Sequence, residues 1–409
     1  MTFKSKIAYT IIVLIAVLTV LFFWVYQGKE EVYQTVAKVM PTHYNGEQFA
    51  GSETCIACHQ DIYKSHIQTP HFKTSALASP ETLKGTFDSS AHGVDLIDAV
   101  AKIEQDGEDF YQIITSKSTG KVLDRSRLDI VVGSGVKGQS YLSFNDDFLT
   151  QLQVSYFTLT DDFINSPGYP NYKFVRSVTD NCIKCHVTFA KNGDFKGNTN
   201  IYERESFMYG IDCERCHGPL KKHVDFRTGQ LDQNNIDPVV RIDSLARQLK
   251  MDVCVQCHSG LRAIQIKDNP FSFVAGERLD KYAKNYNFGR TQAELDVHGN
   301  QYGLLTSSEC FKNSDTMTCT TCHDPHQKQR GDAQHFNSKC IECHSSPKEL
   351  HTAQDFNTSQ PTNCISCHMP LFPSQTMMVK LGNDNKETSV DIRTHLIGIY
   401  VDGVLQKRR

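Results

Sequence analysis

The sequence lacks a marked excess of either charge. Its 43 Lys and Arg residues nearly balance 46 Asp and Glu residues, so the net charge is −3 with histidine neutral. Nucleic-acid-binding proteins usually present a basic patch or stripe, and this balance gives no sign of a nucleic-acid partner. Few segments show a sustained amphipathic period, and mean hydropathy is −0.41. The 409 residues are nevertheless enough for a sizeable core and two or more subdomains.

Only one Trp occurs in the chain, whereas Cys and His are unusually frequent, with 15 and 17 residues. Fourteen of the cysteines fall in seven repeats of the pattern C-x-x-C-H, which leaves Cys310 outside the repeats. The repeats, called motifs 1 to 7 in chain order, occupy residues 55–59, 182–186, 213–217, 254–258, 319–323, 340–344 and 364–368.

Other uses of paired cysteines explain this pattern less well. Disulfides suit an exported chain, but they need no histidine after the second cysteine. Zinc sites combine C-x-x-C pairs with histidines at varied offsets, and thioredoxin-like motifs are usually single. Covalent haem attachment explains both cysteines and the histidine of the motif. Two thiols add to the porphyrin vinyl groups, and the adjacent histidine becomes an axial iron ligand. The sequence therefore predicts seven covalently attached haem c groups.

The motifs name the predicted attachment residues directly. The thioether cysteines are Cys55, Cys58, Cys182, Cys185, Cys213, Cys216, Cys254, Cys257, Cys319, Cys322, Cys340, Cys343, Cys364 and Cys367. The proximal iron ligands are His59, His186, His217, His258, His323, His344 and His368. A buried structural thiol is the favoured role of Cys310, with a haem ligand or an intermolecular bridge left open.

An apolar run without ionisable side chains occupies residues 7–26, after two lysines. A helix of that length spans a bilayer core, and Trp24 and Tyr26 stand where interfacial aromatics are common. A cleaved signal peptide is the alternative, but no A-x-A-like site follows the run. The sequence predicts a single-pass inner-membrane anchor, with the chain from about residue 27 onward in the periplasm. Covalent haem attachment outside the cytoplasm agrees with that topology.

Motif spacing suggests how the remaining chain is organised. The start of motif 2 follows that of motif 1 by 127 residues, whereas the later spacings run from 21 to 65. Strands are predicted in the first gap, where stretches at 110–116, 121–132, 141–144 and 149–157 include alternating apolar and polar residues. The predicted divisions are an anchor at 1–26, a linker at 27–50, a first haem segment at 51–99, a β-rich insert at 100–165 and a six-haem region at 166–409. The predicted fold is mainly α with long loops, of the multihaem cytochrome c type.

Ten histidines lie outside the motifs and are candidates for second iron ligands. A second imidazole closes an iron to substrate, and methionine is the less favoured alternative ligand. His326 follows His323 too closely to reach the same iron, so we expect it to ligate a neighbouring haem. The favoured distal ligands are His71, His223, His326 and His395, followed by His66, His298, His335 and His351. His43 and His92 are expected to be structural.

Four sets of segments carry a family resemblance. They are GSETCIACHQDIYKSHIQTPH at 51–71, IDCERCHGP with His223, CTTCHDPH, and CISCHMP followed by THLI around His395. They resemble multihaem cytochromes related to the tetrahaem electron acceptor of hydroxylamine oxidoreductase, a superfamily with pentahaem nitrite reductase and octahaem cytochromes. The resemblance implies distal-ligand roles for His71, His223, His326 and His395. No C-x-x-C-K occurs, so the resemblance does not extend to the lysine-ligated catalytic haem of the nitrite reductase.

Two functions are compatible with these features. The favoured one is a heptahaem c-type cytochrome that carries electrons in respiration, with a quinol oxidoreductase or periplasmic cytochromes as partners and no catalytic residue. The alternative is a multihaem reductase or oxidase of a small nitrogen or sulfur oxyanion at one open haem, with motif 4 as the candidate. Arg176, Arg215 and Arg262 could then bind the anion, although pairing with haem propionates is the commoner use of such arginines.

Overall fold

Strands predominate over helices in the computed structural model, which describes residues 39–87, 93–260, 264–284, 295–344, 363–381 and 386–406. Strands account for 30% of these residues and helices for 24%. The prediction of a mainly α fold is therefore wrong. Part of the error concerns the chain after motif 2. This region was expected to hold only short helices and loops, but it contains two long hairpins.

Eighteen strands are present in the described ranges, and most belong to antiparallel pairs close in sequence. They are β1 Ser75–Leu77, β2 Val94–Asp95, β3 Ala99–Asp106, β4 Asp109–Ser116, β5 Val122–Arg127, β6 Ile130–Val132, β7 Gly138–Asn145, β8 Phe148–Phe157, β9 Asp162–Asn165, β10 Arg176–Ser177, β11 Val187–Asn192, β12 Tyr202–Tyr209, β13 Ile264–Gln265, β14 Ala283–Lys284, β15 Leu371–Leu381, β16 Lys386–Arg393, β17 Tyr400–Val401 and β18 Val404–Leu405. The four stretches predicted as strands fall within β4, β5 with β6, β7 and β8.

Strands β2–β3–β4–β5 form a four-stranded antiparallel sheet. Buried and more exposed side chains alternate along most of β3 and β4, as expected for a sheet with one apolar face. A two-residue turn joins these two strands between Asp106 and Asp109. Gly107 adopts a φ of +64° in this turn, a conformation that costs glycine little because it has no Cβ.

A six-stranded sheet has the order β1–β6–β7–β8–β10, and β9 also pairs with β8. One face packs on the four-stranded sheet through a cluster that includes Tyr141, Leu152 and Val154. The other face packs on the β11–β12 hairpin through a cluster that includes Leu149 and Phe189. The last six residues of β8 are all buried, because this strand is covered on both faces.

Nine α-helices are present in the described ranges, and all are short. They are α1 Ile56–His66, α2 Asp180–Ile183, α3 Cys213–His217, α4 Lys221–Arg227, α5 Arg247–His258, α6 Gln301–Ser307, α7 Glu309–Lys312, α8 Ala333–Ile341 and α9 Cys364–His368. Helix positions i, i+3 and i+4 lie on one face, so a single turn sets the two thiols and the histidine of C-x-x-C-H side by side. Asp212 caps α3 by accepting the N–H of Cys213 at 2.8 Å, which is a common helix-start device.

The C-terminal β15–β16 hairpin returns to the six-stranded sheet. Val379 and Val390 of the hairpin pack with Phe157 and Ile164 of β8 and β9. These contacts link the segment after motif 7 to the strands between motifs 1 and 2. The residues from Met40 to Arg409 accordingly cluster as one compact unit.

A bulge in β15 binds the buried carboxylate of Asp296. The pairing register with β16 shifts between Pro373 and Met378. Asp296 accepts hydrogen bonds from the Ser374 hydroxyl at 2.9 Å and from the backbone N–H groups of residues 375 and 376 at 3.0 and 2.9 Å. The carboxylate thereby fixes the loop that leads to His298.

Replacing Asp296 with alanine should lower the free energy of unfolding by about 3 kcal/mol, because several buried donors would lose a charged acceptor. Denaturant titration of the haem-loaded protein would measure this loss. Asp280→Ala is the control, since Asp280 is exposed and pairs with Arg278, two residues earlier in the chain. The control should change the same quantity by less than about 0.5 kcal/mol, and equal losses in the two variants would contradict the anchoring role.

The predicted inner-membrane anchor is not supported. Across the described ranges, no helix is both long enough and apolar enough to cross a membrane. The apolar run at 7–26, on which the prediction relied, lies outside these ranges. The single-pass topology, the membrane partner and the inner-membrane localisation are therefore not supported.

Candidate functional site

All fifteen cysteines lie in described parts of the chain, and none of them forms a disulfide there. Helical turns hold most of the motifs. Motif 1 lies at the start of α1, motif 3 coincides with α3, motif 4 ends α5 and motif 7 coincides with α9. Motif 2 begins in α2, motif 5 begins in the 3-10 turn Cys319–Thr321, and motif 6 begins at the end of α8. Each motif therefore presents its thiols and histidine from a short, locally encoded element.

Three motif histidines face a second histidine from a distant part of the chain. The ring centres of His258 and His71 are 6.1 Å apart. Those of His217 and His326 are 6.2 Å apart with an interplanar angle of 14°. The third pair joins His323 to His395, again at 6.2 Å. A fourth contact is electrostatic, because burial and then the nearby His298 lower the pKa of His186 to about 4.

The ring separations match the space that an iron atom needs. Two metal–imidazole bonds of about 2.0 Å on opposite faces of one atom, with about 1.1 Å from each nitrogen to its ring centre, separate the ring centres by about 6.2 Å. Direct stacking would bring the rings much closer than this. Each of these three histidine pairs is therefore suited to ligate one haem iron.

The outer nitrogen of several of these rings is anchored by a hydrogen bond. The Nδ1 atom of His186 lies 2.9 Å from the Thr74 hydroxyl, and that of His258 lies 3.2 Å from the Gln301 side-chain oxygen. The Nδ1 atom of His368 is 2.8 Å from the Gly398 carbonyl oxygen. Such bonds leave Nε2 for a metal, which is the usual arrangement of metal-ligating histidines.

His223 has the same arrangement through a carboxylate. Its Nδ1 atom lies 2.6 Å from Asp237 Oδ1, so Nε2 is left for a metal. Asp237 did not emerge from the sequence, because it lies in an irregular segment with no motif. Thr74 and Gln301 were missed for the same reason, since only the tertiary fold brings them to the histidines.

Two of the paired histidines are held in the neutral form that binds metals. Burial, reinforced by neighbouring histidines, lowers the pKa of His217 and His395 to about 4. Both imidazoles are then uncharged at neutral pH and can donate a lone pair. Burial of these imidazoles in the neutral form therefore fits them to haem iron.

Other predicted distal ligands are placed differently. The Nε2 atom of His66 lies 3.1 Å from the Ile211 carbonyl oxygen, and that of His335 lies 3.1 Å from the Cys322 carbonyl oxygen. These two nitrogens are already engaged in hydrogen bonds with the backbone. His43 uses both nitrogens, with Nε2 2.7 Å from the Phe271 carbonyl oxygen and Nδ1 accepting a backbone N–H. His59 and His344 are exposed, whereas His92 and His351 lie outside the described residues.

Contacts between thiols show which motifs are neighbours. The interaction between the thiols of motifs 1 and 3 is the main cause that lowers the pKa of Cys55 and raises that of Cys213. The same kind of contact occurs between several other motifs. The further pairs are Cys185 with Cys257, Cys254 with Cys319, and Cys340 with Cys364. Cys216 is also within electrostatic range of Cys254 and Cys257.

Cys310 lies between motifs 5 and 6. Burial raises the pKa of its thiol, and the Cys343 thiol acts in the same direction. Cys310 is also within electrostatic range of Cys322 and Cys340. Its position next to two attachment sites was not evident from the sequence.

The motifs, the neutral histidines and their spacing define a c-type cytochrome with several covalently bound haem groups. Residues 169–218 match the family described as cytochrome c554 and c-prime. Together with the relatives described next, this match supports a place for the chain in a multihaem cytochrome c superfamily.

Two curated relatives are similar to part of this chain. The multiheme cytochrome MtrA of Shewanella baltica (strain OS185) is 27% identical over 203 residues, which cover 46% of this chain and 52% of MtrA. The dissimilatory sulfite reductase MccA of Wolinella succinogenes is 23% identical over 265 residues, which cover 56% of this chain and 32% of MccA. The matches therefore span about half of MtrA and a third of MccA.

The fold is similar to that of one solved multihaem protein. The crystal structure of the outer cell wall cytochrome OcwA superposes with a TM-score of 0.52 at 16% sequence identity. The superposition covers 85% of this chain and 79% of OcwA. At this identity the likeness concerns the fold alone.

Proposed function

We propose that this protein is a heptahaem c-type cytochrome that carries electrons along a series of haems in respiratory electron transfer. The observation that carries the proposal is the recurring 6.1–6.2 Å separation between a motif histidine and a second histidine. Imidazoles on both faces leave no position for a substrate on those irons. When bound, each haem supplies one-electron chemistry, because its iron alternates between the ferric and ferrous states.

The pairing of His71 with His258 bears on the choice of function. Motif 4 was the candidate for an open haem because few histidines flank it in sequence. The ring of His71 comes from the segment after motif 1 and faces His258. This contact argues against an open position at motif 4 and favours electron transfer there.

The contacts between motifs support a continuous path. Thiol neighbours connect motif 1 to motif 3, motif 3 to motif 4, motif 4 to motif 5 and motif 6 to motif 7. Cys310 lies beside both motif 5 and motif 6. Motif 2 contacts motif 4 through thiols and motif 3 through the hydrogen bond from Arg215 to the Lys184 carbonyl oxygen, so it lies beside the path at the step from motif 3 to motif 4. The proposed order is therefore 1–3–4–5–6–7, which differs from the order along the chain.

Haem counting and spin state test the proposal together. The pyridine haemochromogen assay should give seven haems per chain, and electron paramagnetic resonance should show low-spin ferric centres. A variant with both motif 7 cysteines replaced by serine should give six haems and serves as the control for the count. A count below seven in the unaltered protein, or a high-spin signal that responds to nitrite or sulfite, would overturn it.

A second candidate is a reductase of a small sulfur or nitrogen oxyanion. The observation in its favour is the similarity to MccA, which is described as a dissimilatory sulfite reductase. The test is consumption of sulfite, nitrite or hydroxylamine with reduced methyl viologen as the electron donor. Turnover together with a ligand-responsive high-spin haem would favour the reductase, whereas neither signal is expected from the electron carrier.

A further inference from the structure

Arg215 is a buried cation at the meeting point of three attachment motifs. It belongs to motif 3 in α3, and the residue is only 7% exposed. Its Nη2 donates to the carbonyl oxygen of Lys184 in motif 2 at 3.0 Å. The Sγ atom of Cys257 in motif 4 lies 3.8 Å from the same oxygen. One guanidinium therefore contacts motif 2 directly and lies close to motif 4.

The described structure pairs no carboxylate with Arg215. Its Nε atom is buried there without a hydrogen-bond partner, and its guanidinium carbon lies 5.0 Å from the centre of the buried Phe271 ring. The adjacent Glu214 is engaged elsewhere, because its oxygens accept backbone N–H groups from residues 50, 51 and 220. Buried arginines are normally paired with an acid, and no described protein side chain supplies one to this guanidinium.

The charge is permanent and acts over a distance. A guanidinium stays protonated in proteins, and electrostatic interactions are stronger in a buried environment than in water. Three thiols lie within electrostatic range, one from each of motifs 2, 3 and 4. They are Cys185, Cys216 and Cys257. Since each thiol is a haem attachment point under the proposed function, each marks the edge of a different cofactor.

We propose that Arg215 raises the reduction potentials of the haems attached at motifs 2, 3 and 4. The proposal rests on the proposed function, since it requires haem at these motifs. Reduction adds one electron to a ferric iron to give ferrous iron, with no bond broken and no proton required. The added negative charge is stabilised by the nearby fixed positive charge. Arg215 would thus stabilise the reduced state of the haems at the point where motifs 2, 3 and 4 meet.

Potentiometric titration of Arg215→Gln in the full, haem-loaded chain tests this role. The potentials of up to three centres should fall, and those of the other haems should stay unchanged. Arg125→Gln is the matched control, because Arg125 is an exposed arginine on β5 paired with Asp106, and it should shift no potential. Unchanged potentials in a fully loaded Arg215→Gln protein would overturn the proposal and indicate that a haem propionate neutralises the charge.

Arg215→Lys gives an independent test if the glutamine variant does not fold or take up haem. A buried lysine can lose its proton near neutral pH, whereas arginine cannot. The potentials of this variant should match the unaltered protein at acidic pH and fall relative to it as the pH rises. An identical pH dependence in the two proteins would contradict the proposal. A haem count below seven in the unaltered protein would instead count against the proposed function.

Discussion

The His326→Ala variant should retain its full haem content and show one new high-spin ferric centre. The ring centre of His326 lies 6.2 Å from that of His217, the separation expected for two ligands on one iron. Removing it would leave one face of that iron open to water or to an added ligand, while the thioethers and His217 still hold the haem. Electron paramagnetic resonance should detect the conversion, and added cyanide should return the centre to low spin.

His66 offers a matched control for this experiment. Its ring centre also lies 6.1 Å from that of His326, so ring separation alone does not distinguish the two candidates. The Nε2 atom of His66 is engaged with the Ile211 carbonyl oxygen. His66→Ala should therefore leave every haem low-spin. If His66→Ala produced the high-spin signal and His326→Ala did not, the ligand proposed for motif 3 would be the wrong histidine.

Removal of the motif 4 haem should interrupt electron transfer between the two ends of the path. Motif 4 adjoins motifs 2, 3 and 5, so a chain with both motif 4 cysteines replaced by serine would contain two separated groups of haems. Lys64 is exposed on α1 near motif 1, and Lys64→Cys would attach the protein to a gold electrode at that end. In fast voltammetry the haems of motifs 1 and 3 should still exchange electrons, whereas those of motifs 5, 6 and 7 should not.

The corresponding serine variant of motif 2 is the control. It also removes one haem, but motif 2 contacts motif 4 from the side of the proposed path. All six remaining haems should then exchange electrons with the electrode. If the motif 2 variant lost the distant haems while the motif 4 variant retained them, the path would run through motif 2 instead of motif 4.

The sequence predicted the parts of this protein that depend on neighbouring residues. The C-x-x-C-H motifs are local, because one helical turn sets two thiols and a histidine on one face. Membership of the multihaem cytochrome c superfamily followed from those motifs, and the comparisons support it. The alternating stretches of β4 and β7 were likewise readable, since a strand with one buried face has a period of two residues.

The proportions of strand and helix could not be predicted from the sequence in the same way. The β15–β16 hairpin contains Pro373 and a register shift, which break the alternation that signals a strand. Its position depends on packing against β8 and β9, which are far away in sequence. The sequence predicted short helices correctly. It could not predict what fraction of the chain they form, because the hairpins were not predicted.

Only the tertiary structure decided which histidine faces which motif. His66 and His71 are five positions apart, yet one is hydrogen-bonded to a backbone carbonyl and the other faces His258. Sequence offers no rule for that choice, because the partners come from distant segments and their approach depends on the packing of the whole chain. The unpaired burial of Arg215 arises in the same way, where motifs 2, 3 and 4 converge. Local spacing thus determined the attachment sites by itself, and long-range packing determined the candidate ligand pairs and the neighbours of each motif.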